Sequence, residues 1–222
     1  MATYLELCQR TRQECGIAGS GPSTVLSQTG DLKRVVDWVN TAWQDIQNRT
    51  DTWQWMRQGF SVNLIAGQRE YTPAQCGITD FASWDIEHIR VYSGSTANEC
   101  TLSYVGYDDF REVYMRGTVP TARPAFFTIS PSKSLILYPT PDQAYTVYGD
   151  YYTTPKQLTV NADVPGMPTR FHDLIWYGAM RKYAMFEAAN EVYQFATQEY
   201  NRLMRNLEQD QLPEMPMAEP LV

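Results

Sequence analysis

Histidine is scarce in this chain of 222 residues: only His88 and His172 carry an imidazole. A three-histidine metal site is therefore impossible within one chain, and no HExxH helix is present, which argues against a zinc hydrolase. His172, just inside a helix start, is expected to cap or pack, and His88 in a strand to do the same. No GxSxG elbow and no GxxxxGK[ST] loop occurs. Gly16, Gly19 and Gly21 follow a helix rather than a strand, and Gly21 precedes Pro22, which removes an amide donor, so they are not a phosphate cradle.

Positive charge is also in deficit. Lys and Arg number 18 against 25 Asp and Glu, a formal net charge of −7, with a pI near 4.9. A chain with no basic field cannot hold a nucleic-acid backbone by charge alone. Cysteine is limited to Cys8, Cys15, Cys76 and Cys100, at spacings that fit neither a CxxC metal pair nor a dense disulfide framework. Free thiols are expected, and with them a reducing cytoplasm as the place of synthesis. No stretch approaches an uncharged membrane-spanning length, and Met1-Ala2-Thr3-Tyr4 is not a basic region before an apolar run. A soluble product without a leader is expected.

What is present is organised around the stretch from Pro165 to Asp210. Pro165-Gly166-Met167-Pro168 stops the preceding chain, Thr169 is placed to cap, and Phe171, Leu174, Ile175, Trp176, Tyr177, Ala179 and Met180 follow with hardly a polar break. A helix apolar on most sides is a central helix. Val192, Phe195, Ala196, Leu203 and Leu207 continue as the one-sided stripe of a second helix. The natural cover of the central helix, Phe171 to Met185, lies in the N-terminal half, where Leu32, Val35, Val36, Val39, Trp43 and Ile46 recur at three and four residues. Thr29 or Asp31 is expected to cap that helix, with Lys33, Arg34, Asp37, Asn40, Gln44 and Gln47 facing outward. A short helix from Tyr4 to Gly16 and a Gly, Ser, Thr and Pro loop to Gly30 come before it.

Beyond Arg49 the period changes to two: Trp53 and Trp55, then Phe60, Val62 and Leu64, a turn at Gly67-Gln68, and a return through Tyr71 predict a strand hairpin. Ile86, Ile89, Val91 and Tyr92 suggest a further strand before Ser93-Gly94-Ser95. Leu102 to Tyr107 reads ambiguously, and Asp108 to Met115 as a short helix. Phe126 to Ile129, Leu135 to Tyr138 and Tyr145 to Tyr152, separated by Pro-rich turns, predict an antiparallel meander. The fold class is α+β: a helical domain of about four helices from both chain ends (1–51 and 165–210), an inserted β-rich domain (52–164), and a C-terminal arm (211–222).

Asp108-Asp109, and Asp85 with Glu87, could in principle do acid and base work as in a glycosidase. Adjacent aspartates diverge on a helix, and nothing in the sequence points to burial of either pair, so capping and solvated acids are expected instead. The aromatic residues have two readings, core or protein interface, where Trp, Tyr and Arg concentrate. Trp53, Trp55, Tyr148, Tyr151 and Tyr152 are the candidates for interface anchors. After Arg205 the chain is acidic without a basic residue, and Pro213, Pro216 and Pro220 bar a helix. Such a tail is either solvated or an extended arm along a partner, with Met215, Met217 and Leu221 as its contacts.

The run Arg123-Pro124-Ala125-Phe126, Leu135 through Asp142, the returning Tyr151-Tyr152 and Pro155, and Met167 through Ile175, together with the helix from Asp31 to Arg49 followed by Trp53-Gln54-Trp55, resembles the head-to-tail adaptor proteins of tailed bacteriophages. The adaptor-like tail tubular proteins of short-tailed phages are similar. The resemblance covers nearly the whole chain except Cys76 to Tyr107, and rests on turn and packing residues. It implies a non-enzymatic virion protein without cofactor. Twelve copies would sit as a ring under the portal protein, extend the DNA channel without gripping DNA, and offer a platform to the tail nozzle or other tail proteins. It further implies an arm that reaches the portal, here Leu212, Pro213, Met215, Pro216, Met217, Leu221 and Val222. The alternative is a carbohydrate-binding or depolymerising accessory domain of a tail component, suggested by aromatic strands and spare carboxylates. A regulatory helical module with a peptide groove is a third reading, to which the β insertion gives little purpose.

Overall fold

Pro168 ends an extended segment, and the apolar run behind it winds as a single 3-10 turn, Thr169–Phe171, and then as helix α4, Asp173–Phe186. In this computed structural model, which describes residues 1–19 and 21–212, the chain divides into two compact units: Met1–Met56 together with the chain from Pro155 onward, and Arg57–Thr154.

The helical unit is built on α4. Helix α1 (Tyr4–Glu14) is entered through a capping box in which the Glu6 amide donates to the Thr3 hydroxyl at 3.3 Å and the Thr3 amide to the Glu6 carboxylate at 2.8 Å. It ends where Gly16 takes a φ of +65°, a left-handed conformation that glycine adopts without a Cβ clash. Helix α2 (Gly30–Gln47) buries Val35, Val36, Val39, Ala42, Trp43 and Ile46, the expected stripe, and packs on α4. Thr29 stands at its N-cap without a side-chain cap bond. The buried Tyr4 hydroxyl donates to the Val36 carbonyl at 2.9 Å and ties α1 to α2. Helix α5 (Asn190–Gln211) returns along α4 and buries Ala196, Tyr200, Met204 and Leu207.

Four expectations for this unit are corrected. Thr169 opens the 3-10 turn and does not cap α4, whose N-cap is the buried His172. Gln47 does not face outward: it is buried, donates to the Lys156 carbonyl at 3.0 Å and accepts from the Lys156 amide at 2.9 Å. The returning chain brings an amide and a carbonyl that need partners, and Gln47 supplies both. Trp53 and Trp55 do not alternate along a strand; Gln54–Met56 is a 3-10 turn, and the two indoles stack at 4.4 Å. Phe195, assigned to the inner stripe of α5, is 53% exposed.

The second unit holds nine strands in two sheets and one helix. The first sheet runs β1 (Arg57–Asn63), β9 (Thr146–Thr153), β4 (Arg90–Ser93) and β5 (Ser95–Thr101), with β3 (Phe81–Trp84) also on β9. The second runs β2 (Glu70–Tyr71), β8 (Leu135–Tyr138), β7 (Phe126–Ile129) and β6 (Ser103–Tyr104), of which β6 and β7 are parallel. Helix α3 covers Tyr107–Tyr114. Phe60, Val62, Trp84, Val91 and Val147 of the first sheet share one core with Phe127, Leu135 and Leu137 of the second.

The hairpin and the meander are both corrected. β1 pairs with β9 over seven residues, Arg57↔Tyr152 to Asn63↔Thr146, whereas β2 pairs with β8 in the other sheet. Only β7 and β8 form the expected hairpin, and β9 crosses to the first sheet. Gly149 lets it enter: a Cβ there would meet the Ile89 side chain at 3.1 Å and the Phe60 ring at 3.2 Å. The strand read from Ile86 begins only at Arg90, because residues up to 88 lie in a bend.

Candidate functional site

The helical unit exposes a cluster of large apolar side chains where α4 ends: Met185 is 70% and Phe186 52% exposed. The Trp38 ring lies 5.8 Å from Phe186 and 6.1 Å from Tyr183, and with Ile17 these rings floor a cleft of about 200 Å³ rimmed by Asp31 and Glu187. The Arg34 guanidinium sits 4.3 Å over Phe186 and pairs with Asp31 at 3.0 Å. Exposed aromatic and methionine side chains in one place are the usual mark of a protein contact. Sequence reasoning missed this group because α4 reads as apolar on all sides. Its one signal was Trp38, which falls off the stripe Val35, Val36, Val39.

The five candidate anchors are distributed differently. Trp53 is fully buried in the helical unit and donates to the Ile46 carbonyl at 3.1 Å, so it is core and no surface anchor. Trp55, stacked on it, is half-buried, with its indole nitrogen enclosed. On β9 burial alternates strictly, so Tyr151 points into the core of the sheet unit while Tyr148 and Tyr152 share the opposite, half-exposed face. The Tyr151 hydroxyl donates to Asp80 at 3.1 Å.

The Tyr148 hydroxyl donates to Glu99, which also pairs with Arg90 at 2.6 Å. The Tyr148 bond, aided by Arg90 against the cost of desolvation, holds the Glu99 carboxyl below its usual range. Tyr92 lies edge-on to Tyr148 at 5.9 Å. This face therefore presents Tyr92, Tyr148 and Tyr152 among charges that already satisfy one another.

The carboxylate pairs separate in the same way. Asp85 is buried, contrary to expectation, and its Oδ2 lies 2.6 Å from Arg57, which also reaches Asp150 at 2.7 Å. A carboxylate so engaged acts as a clamp between β1, β9 and the bend before β4, and His88 stands beside it at 3.5 Å. Desolvation works against the Arg57 charge, but the facing Asp85 and Asp150 carboxylates outweigh it and raise its pKa. Glu87 is exposed, as are Asp108 and Asp109 in the first turn of α3.

His172 is used structurally. Its Nδ1 accepts from the Ala2 amide at 3.3 Å, which leaves Nε2 as the donor to the Met167 carbonyl at 3.1 Å, and burial lowers its pKa. The thiols of Cys8, Cys15 and Cys76 are free and buried, and burial pushes Cys8 and Cys15 up to about 12 and Cys76 to about 11. Cys100 is free and exposed. Among the described residues no group of three or more metal-binding side chains converges, and no helix is long and apolar enough to cross a membrane.

Of the expected arm, Leu212 is the C-cap of α5, with an extended backbone: its amide donates to the Glu208 carbonyl at 3.0 Å and its side chain packs against the helical core. Pro213, Met215, Pro216, Met217, Leu221 and Val222 lie outside the described residues.

No curated protein matches the chain. The family model of the SU10 adaptor protein matches residues 2–219, nearly the whole length. The chain belongs to the SU10 adaptor protein family, a family of phage head-to-tail adaptors.

Proposed function

We propose that this protein is a non-enzymatic structural component of the virion that assembles as a dodecameric ring beneath the portal protein, prolongs the DNA channel and provides the platform to which the tail nozzle or another tail protein attaches. The observation that carries this reading is family membership across residues 2–219. Adaptors act between head and tail, so partners on both sides are required. The helical unit builds the ring, the sheet unit meets tail components, and the arm after Leu212 reaches the portal.

Two physical features support the reading. A conduit through which DNA must slide should not grip phosphates, and a net charge of −7 provides no counterion release to drive such binding. A ring closed by rotation needs heterologous contacts, in which one patch meets a different patch of the next copy. The exposed Met185 and Phe186, and separately the tyrosine face of β9, supply surfaces of unlike chemistry.

The test is negative-stain electron microscopy of this protein mixed with the portal protein encoded beside it. A ring of added density at the narrow end of the portal is the expected outcome. A bare portal beside a folded monomer would overturn the reading.

A further inference from the structure

Where α2, α4 and α5 meet, the helical unit holds a second cleft of about 120 Å³, lined by Ala42, Asp45, Gly178, Arg181 and Tyr200 among others. Its two cations differ in state. Lys182 is paired with Asp45 at 2.8 Å. Arg181 has no acidic partner among the described residues, and its Nε is buried without a hydrogen-bond acceptor. Its guanidinium carbon lies 4.7 Å from the Tyr200 ring centre and 5.9 Å from that of Tyr193.

Stacking on aromatic faces holds a guanidinium flat while leaving its N–H edges for a planar acceptor, and a carboxylate fits that fork in bidentate fashion. A buried donor without an acceptor costs stability unless something completes it. The cleft also carries Met185, 70% exposed, and the closed Lys182–Asp45 pair, so Arg181 is the cation there without an acidic partner among the described residues.

The chain itself carries the complement. At the start of α3, in the sheet unit, Asp108 and Asp109 are adjacent, exposed and without a cationic partner among the described residues, whereas Glu112 is taken by Arg116. Val113 beside them is 65% exposed. One patch offers a lone cation beside an exposed methionine and a closed ion pair, and the other offers unpaired carboxylates with an apolar neighbour.

We propose that the Arg181 cleft is a subunit contact, which receives a carboxylate from the α3 region, Asp108 or Asp109, of a second copy of this chain. The contact is heterologous, and it rests on the ring reading given above. Arg181 supplies the charge-assisted hydrogen bonds, Tyr193 and Tyr200 hold its plane, and Met185 packs against the apolar residues beside the incoming acid.

The experiment places p-benzoylphenylalanine at position 185 in the full chain, assembles it on purified portal protein, irradiates, and maps adducts by mass spectrometry. The expected product has twice the mass of the chain, with the adduct in the peptide that holds Asp108 to Val113. Arg181→Ala should lower its yield by about tenfold or more, the loss expected for a charge-assisted bond, and Asp108→Arg with Asp109→Arg should do likewise. Arg181→Glu combined with the two aspartate reversals should restore it. Circular dichroism melts of the single variants check that they fold.

Adducts to the portal alone, or none while the chains still sit on the portal, would overturn the contact and leave the adaptor reading intact. If the wild-type chain fails to join the portal, the ring reading fails, and sedimentation of the free chain then decides the contact. Concentration-dependent association weakened by Arg181→Ala supports it, and a monomer at every concentration overturns it.

Discussion

Gly178 of α4 lies so close to Ala42 of α2 that a Cβ added at position 178 would stand 3.0 Å from the Ala42 Cβ and 3.3 Å from the Tyr200 ring of α5. Three helices thus converge on one residue without a side chain. Gly178→Val should force them apart and destabilise the protein by about 1–3 kcal/mol, the usual cost of overpacking. Urea denaturation of the variant beside the wild type measures this; unchanged stability would mean that the helices can part freely at this point.

His172 makes the helical unit sensitive to acid. Burial lowers its pKa, so the unfolded chain takes up the proton before the folded one does. Its contribution is fully present above the ordinary imidazole value of about 6.5 and is lost progressively as pH falls below it. Thermal melts between about pH 7.5 and 5 should show stability declining on the acid side. His172→Gln should flatten that part of the profile, and a slope equal to that of the wild type would assign the sensitivity to other groups.

Arg57 joins Asp85 and Asp150. Arg57→Met would leave two carboxylates facing each other, one of them buried, and should destabilise the sheet unit by about 1–3 kcal/mol at neutral pH. Denaturation of the full chain at neutral pH, with hydrogen exchange to locate the loss in residues 57–154, checks the size and the place. Unchanged stability would refute the clamp.

Leu212 marks the place at which the arm can be cut. Because its side chain packs on the helical core, truncation after Leu212 should leave helix content and melting temperature unchanged while weakening binding to the portal. Surface plasmon resonance against immobilised portal gives the comparison. Undiminished affinity would remove the arm from the portal contact.

The helical half was legible from periodicity. Val35, Val36, Val39, Trp43 and Ile46 are buried as their spacing requires, and α4 is covered by α1, α2 and α5 as its apolar run demands. Errors there came from residues whose partners arrive from far along the chain: Gln47 looks solvent-facing until Lys156 returns to it. In the sheet unit short strands were found, but of their pairings only that of β7 with β8. β5, all polar or small and mostly exposed, gave no pattern at all and is defined only by its bonds to β4.

The sequence alone determined the class of element at most positions, the position of the central helix and the absence of a basic field, because these follow from spacing and composition within short windows. Tertiary structure alone decided that β1 pairs with β9 and not β2, that Trp53 is core, that Met185 and Phe186 are exposed, and that Arg181 meets Tyr193 and Tyr200. Those outcomes depend on which distant segments compete for the same backbone donors and the same apolar surface, and no local pattern records that competition.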